Sequence, residues 1–347
     1  MSEQDLIIVG QGVEPFSPLF AAGMAANQAA SEGKLAEYQG RKSPETLRRQ
    51  AADVALFETY LQAAQVAVSG MASDLAIWRG VTHGLVDGFI RWQLKAGYSI
   101  GSINVRLSTI KMYCTLAAQS GYIEGNTLAL IKSVKGYRPG EARNVDADRA
   151  RAKIATRQPY AKKAAPVEIA PAVAELLKEQ PDSPRGRRDR LIICLLLDHG
   201  LRVSEIADLD RRSIDLAAGL LKFYRRKVGI TQTHQLTADT WQAARAYLVD
   251  RDPANNLDAS APLFPGTGRA AAGRYSARSI NDRVRTLAAP LGIKNLSPHD
   301  GRHHWATRAT RAGTDTKSLQ DAGGWSSPAM PLRYAASAHI ANAGVKL

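Results

Sequence analysis

The stretch LSPHDGRHHWATRATRAGTDTKSLQDAGGW, residues 296–325, decides how the rest of the chain is read. Pro298 suits the first position of a helix, and on that helix His299, Arg302 and His303 fall at i, i+3 and i+4, on one face. Three uses fit such a face. Paired histidines at i, i+4 can bind zinc, but the stretch has neither the Glu of an HExxH arrangement nor a Cys partner. The face can be simply buried or solvated. Or it is a phosphate clamp, with Arg302 supplying a planar fork and His299 a single donor to a phosphodiester oxygen.

Immediately downstream, GGWSSPAMPLRYAA (323–336) is interrupted by Pro328 and Pro331, too often for an ordinary amphipathic helix, and carries Tyr334 near its end. That tyrosine either packs or reacts. Upstream, SPRGRRDRLIICLLLDHGLRVSEIADLDRRSIDL (183–216) reads as a buried helix over Leu191–Leu197, ended by Gly200. A new helix capped by Ser204 then carries Glu205. Arg202 falls between the two, with an acidic neighbour three residues on. GLLKFYRRKVGITQTHQL (219–236) reads as a hairpin, alternating over Leu220–Tyr224 and again over Thr233–Leu236, with Lys227 and Gly229 in the turn. A lysine there is ordinarily just solvated. Apart from the loop at 252–273, the remainder reads as helices.

The chain has 347 residues, 45% of them hydrophobic, enough for about two domains with real cores. Its formal net charge is +14, which argues for a polyanionic partner, either nucleic acid or an acidic membrane surface. No apolar run approaches the roughly 18 residues of a spanning helix, and MSEQDLIIVG lacks the basic start of a secretory signal. The expectation is a soluble, intracellular protein. Cys114 and Cys194 sit in apolar helical patterns and read as buried thiols, with no disulfide and no zinc–thiolate site.

Toward the N-terminus, SPETLRRQAADVALFETYLQAA gives one helix, with Ser43 as cap, Pro44 at its first position and a stripe of Leu47, Ala51, Val54, Phe57 and Leu61. A second spans roughly 82–95, with Leu85, Phe89 and Trp92 on one face and Arg91 and Lys95 off it. A third places Ile103, Leu107, Ile110 and Cys114 on one stripe, with Arg106 and Lys111 off it. Residues 42–134 are therefore expected to be a helical bundle with basic outer faces, preceded by an arm, 1–41, holding one short helix. Between 132 and 163 stand ten Lys or Arg against three Asp or Glu, an excess of seven that is half the net charge. With Gly136, Pro139, Gly140 and Pro159 it reads as a linker, 135–165: a solvated tether, or one that passes around a DNA backbone.

Together these residues resemble the tyrosine recombinases, the family of phage integrases, bacterial Xer proteins and Cre, over roughly 42–347. HGLRVSEIADL looks like the family's first arginine box and PHDGRHHWAT like its H-x-x-R box. GGWSSPAMPLRY looks like its final segment, in which the nucleophilic tyrosine stands nine residues after a His or Trp, as Tyr334 does after Trp325. Gly301 and Pro331 depart from the family's usual leucine and threonine, and Trp325 is the rarer alternative to histidine.

The resemblance implies a mainly α fold with a small β-hairpin or sheet: a helical core-binding domain and an α+β catalytic domain, 166–347, forming a clamp on DNA. It implies that Arg202 and Arg302 grip the scissile phosphate and that His299 and Trp325 complete the pocket. Lys227 would protonate the leaving 5′ oxygen, Glu205 would support the pocket and Tyr334 would attack. Candidate DNA contacts are Arg106, Lys111, Lys132, Lys135, Arg138, Lys162 and Lys163. The implied partner is double-stranded DNA with paired recombination sites, bound by a homotetramer assembled through the C-terminal tail, in the cytoplasm at the nucleoid, with no metal or other cofactor. A relaxing enzyme with the same nucleophile and a catalytically silent DNA binder of the same fold are the alternatives.

The chemistry agrees. A phenol with pKa near 10 costs about 3–4 kcal/mol to ionise at neutral pH unless a positive field lowers it, and Arg202, Arg302 and Lys227 would supply that field. Fixed guanidinium forks can stabilise the charge that in-line attack places on the phosphate.

Overall fold

The computed structural model describes residues 18–155, 167–251, 258–266 and 273–338. The chain divides into two compact units, Met1–Lys162 and Lys163–Leu347.

In the first unit the elements are α1 (Pro18–Ser31), α2 (Lys34–Gly40), α3 (Pro44–Ala63), α4 (His83–Lys95), α5 (Ile100–Gln119), α6 (Gly125–Ser133) and α7 (Pro139–Arg151). The start signal of α3 is used as read: Pro44 opens the helix and Ser43 Oγ accepts from the Thr46 amide at 3.3 Å. Its apolar stripe holds at Val54, Phe57 and Leu61, all buried, but Ala51 is exposed while Gln50 and Asp53 turn inward. Asp53 can be buried because Arg49 Nη1 donates to it at 2.7 Å and Thr109 Oγ1 at 2.8 Å. Around this network Phe57, Trp78 and Tyr113 stack in series, with Phe89 edge-on to Phe57. The α5 stripe of Ile103, Leu107, Ile110 and Cys114 is buried as its periodicity requires.

Two expectations for this unit are corrected. The arm expected over 1–41 holds two helices, not one, among the residues described; α2 sets Leu35 and Tyr38 against the bundle core, and Gln50 Nε2 donates to Tyr38 Oη at 2.7 Å. The basic stretch read as a linker contains α7. Pro139 lies in its first turn and Glu141 accepts from the Arg138 amide at 2.8 Å. Ala142 and Val145 pack against the bundle, and the buried Arg149 donates to the Tyr98 carbonyl at 3.0 Å. A strongly charged helix is thus held by a few contacts on one side.

The second unit comprises α8 (Pro171–Lys178), α9 (Pro184–Leu197), α10 (Val203–Ala207), β1 (Ile214–Asp215), β2 (Leu220–Arg225), β3 (Ile230–Gln235), α11 (Ala238–Arg251), α12 (Ala277–Ala288), α13 (Pro298–Arg311), α14 (Thr316–Gly323) and α15 (Ala329–Ala338). Leu191 through Leu197 of α9 are all buried, which makes this helix the centre of the unit, with α8, α11, α12 and α13 around it. The hairpin is present in the expected place and extends to a three-stranded antiparallel sheet in the order β1-β2-β3, with Leu220 opposite Gln235 and Arg225 opposite Ile230. Alternation on β2 turns Leu221, Phe223 and Arg225 inward. No described helix is long and apolar enough to cross a membrane.

The proline-rich stretch before Tyr334 is also corrected: it is helical from Ala329. Pro331 is tolerated because it falls in the first turn of α15, where backbone N–H groups have no intrahelical partner in any case.

Candidate active site

α13 begins on a firm cap. Asp300, almost fully buried, accepts from the Ser297 amide and hydroxyl, each at 2.7 Å, and from the Val167 amide at 2.9 Å. Gly301 lets this helix lie close on α9, since a Cβ there would meet Leu196 Cβ at 3.2 Å. The capped helix then aims Arg302 into the unit, 2% exposed. Its Nη1 donates to the Gly200 carbonyl at 2.6 Å and its Nη2 to the Gly323 carbonyl. Its guanidinium carbon lies 4.4 Å from the Trp325 ring centre. One arginine therefore joins the end of α9 to the end of α14. Gly200 makes this possible: its φ is +60°, and a Cβ there would lie 2.3 Å from Trp305 Cε3.

Arg202 stands beside it as the N-cap of α10, two residues earlier than the Ser204 cap read from the sequence. Glu205 accepts from the Arg202 amide at 2.8 Å and from its Nη1 at 2.7 Å. The Arg202 side chain remains 23% exposed, open to a ligand. Glu205 itself is buried, because it is also gripped by a residue the sequence reading missed. Arg225, 0% exposed at the end of β2, directs Nη1 at both Glu205 oxygens, 3.0 and 2.9 Å away. The signal was available: Arg225 is in phase with Leu221 and Phe223 on the inward face of the strand.

Two guanidiniums, those of Arg202 and Arg225, thus hold the Glu205 carboxylate, and that of Arg302 lies within their field. Burial, followed by the positive Arg202 and Arg225, pushes the Arg302 pKa down to about 9. An added anion would relieve that repulsion.

Tyr334 lies 1% exposed in a small cluster with Trp305, Ala306 and Leu319. Its ring meets His303 edge-on at 4.9 Å and Trp325 at 5.5 Å. Burial raises the phenol pKa, while Arg302, Arg333 and Arg202 pull it down. The residue packs in this structure, and it does so within the field of the arginines.

The structure therefore brings Arg202, Glu205, Arg302, Trp325 and Tyr334 together. His299 is exposed on α13, its ring 4.7 Å from that of His303. Burial and the neighbouring His299 hold the His303 pKa below its ordinary value. Lys227 takes part in none of these contacts and stands exposed in the hairpin turn. Among the described residues no group of three His, Cys, Asp or Glu is placed to hold a metal ion.

The candidate DNA contacts divide. Arg106 turns into the bundle, with Nη1 donating to Gln93 Oε1 at 3.0 Å and its guanidinium over the Tyr98 ring at 4.4 Å. Lys111 donates to the carbonyls of Lys132, at 2.8 Å, and Val134, closing the end of α6. Both are thus half-buried and engaged in the fold. Lys132, Lys135 and Arg138 are exposed and border a recess of about 900 Å³. Lys162 and Lys163 lie outside the described residues.

Residues 170–340 match the phage integrase family. The tyrosine recombinase XerD of Xanthomonas axonopodis pv. citri (strain 306) is 26% identical over 264 residues, covering 71% of this chain and 77% of that protein. Among solved structures, the Tn1549 transposon integrase in complex with transposon right end DNA shares the fold at a TM-score of 0.59 and 17% identity, covering 88% of this chain and 94% of that one. So does a lambda integrase tetramer bound to a Holliday junction, at 0.58 and 14%, covering 92% and 84%. The chain belongs to the tyrosine recombinase family.

Proposed function

We infer that the chain is a site-specific DNA recombinase, an enzyme that breaks and rejoins duplex DNA. The observation that carries the reading is the Glu205 carboxylate held by Arg202 and Arg225, with Arg302 in their field and Tyr334 packed in the same corner of the fold.

Arg202 and Arg302 hold the two non-bridging oxygens of the scissile phosphate. Tyr334 Oη, having released its proton to water to become the phenolate, attacks the phosphorus in line, forming a 3′-phosphotyrosine, and the bond to O5′ breaks as Lys227 gives its proton to that oxygen. His299 donates to the phosphate and Trp325 walls the pocket. The covalent link keeps the bond energy for the second strand, whose 5′ hydroxyl attacks the phosphotyrosine in the reverse step. Lys132, Lys135 and Arg138 of the first unit contact the DNA backbone. Four copies act on two paired sites, assembled through the C-terminal tail, in the cytoplasm at the nucleoid. The tetrameric state of the lambda integrase neighbour supports the assembly.

The test is a library of duplexes nicked beside the cleavage positions, so that the released fragment diffuses away and the adduct accumulates. Wild-type chain is expected to be linked through Tyr334 to a 3′ phosphate, whereas Tyr334→Phe binds the same DNA and forms no adduct. An adduct in Tyr334→Phe would overturn the assignment, as would salt-sensitive binding by the wild type with no adduct at all. Plasmid relaxation without recombinants would show the chemistry without synapsis.

A further inference from the structure

A guanidinium on a short strand beside an exposed turn would ordinarily point to water. The pleat puts Arg225 in phase with Leu221 and Phe223, and the side chain is wholly enclosed. Such a group is retained only where its donors are met. Nη1 meets both oxygens of Glu205, at 3.0 and 2.9 Å, and Nη2 meets the Ala322 carbonyl at 2.6 Å. Nε donates to Gln232 Oε1 from the facing strand, and Gln232 Nε2 in turn donates to the Asp321 carbonyl at 2.5 Å. The guanidinium also lies over the Phe223 ring, 4.7 Å from its centre. The backbone has made room for it: Gly324 adopts φ +58°, and a Cβ there would stand 2.4 Å from Arg225 Cδ.

We propose that Arg225 is a positioning residue for strand cleavage, which locks the two phosphate-binding arginines to each other and to the hairpin that bears Lys227. On one side it fixes Glu205, whose other contacts are the amide and Nη1 of Arg202. On the other it fixes the end of α14, where the next carbonyl, that of Gly323, holds Arg302 and the next side chain but one, Trp325, covers its guanidinium. Lys227 follows two residues later in the chain. Without Arg225, Glu205 would keep one cationic partner instead of two, and the α14 end would lose its tie to the sheet. Arg202 and Arg302 would then no longer hold one geometry.

The inference rests on the recombinase reading and is tested on the full chain with the nicked duplex mapped above. Arg225→Met keeps the length of the side chain and removes every donor. It is expected to lower single-turnover adduct formation about 100-fold, the scale of a misplaced catalytic group, while DNA affinity stays within about threefold because Arg225 does not face solvent. Arg225→Lys keeps the charge without the fork and is expected to lose about tenfold, and it decides the matter where Arg225→Met melts too low to assay. Combined with Glu205→Gln, Arg225→Met should cost no more than the worse single change, because both act through one contact. Wild-type cleavage rates in both Arg225 variants, or losses that multiply with Glu205→Gln, would overturn the proposal and leave the recombinase reading standing. No adduct in the wild type would overturn both.

Discussion

Arg302→Lys separates a brace from a catalyst. In the native chain the two terminal nitrogens of Arg302 hold two carbonyls, those of Gly200 and Gly323, in a site only 2% exposed. A single ammonium cannot replace that fork. One carbonyl is left buried without its donor, at a cost of about 1–3 kcal/mol. For a unit of this size each kcal/mol lowers the melting temperature by roughly 2–4 °C. The catalytic effect should be larger. If the remaining Arg302 protons face a phosphate whose charge rises during attack, losing them should slow cleavage by roughly 10²–10³. The net charge is unchanged, so affinity for DNA and its dependence on salt should scarcely move. Thermal melting, salt titration of binding and single-turnover adduct formation on the nicked duplex measure the three effects separately. Cleavage within about threefold of wild type, together with a lowered melting point, would show that Arg302 only braces the fold and would refute the phosphate-clamp reasoning.

Two further expectations concern neighbouring groups. His199 is buried beside Thr240, with Nε2 and Oγ1 3.2 Å apart, and burial pushes its pKa down to about 4, opposed by Asp198 and reinforced by Arg308. Because the folded pKa lies below the unfolded one, its contribution is complete above about pH 6.5 and is lost as pH falls toward 4, about 3 kcal/mol in all. Melting temperature should fall across that window in the wild type and less steeply in His199→Asn, and equal slopes would remove His199 as the cause. Lys227→Ala should slow cleavage of ordinary DNA far more than of a substrate whose bridging 5′ oxygen is replaced by sulfur, a better leaving group; equal slowing would exclude Lys227 as the proton donor.

Much of the fold could be read from the chain because its signals were local. Ser43–Pro44, the seven-residue apolar run of α9 and the alternation of β2 each specify an element within a dozen residues. The members of the site could be named because their boxes lie in short stretches, but their partners could not. That Arg302 would hold the carbonyls of Gly200 and Gly323 depends on contacts 102 and 21 residues apart in the chain. α7 was passed over because it has almost no apolar face, although Pro139 and Glu141 carry its start signal. Arg225 was missed for the opposite reason, since a charged residue in RRK next to a turn looks solvated until the phase of the strand is followed to its end. Gln50 and Asp53 escape notice in the same way, with the Tyr38 hydroxyl for the first and the polar network around Thr109 for the second taking the place of apolar contact.

Gly200 and Gly324 carry a consequence for how this pocket can change over generations. Each gives up its own side-chain volume to a neighbour, the indole of Trp305 in one case and the stem of Arg225 in the other. A larger residue at either position would meet that neighbour and would also be strained by the left-handed backbone, at φ +60° for Gly200 and +58° for Gly324, whatever the space. A smaller neighbour therefore does not free either position, and a library that randomises Gly200 or Gly324, alone or with its neighbour, is expected to return glycine at both.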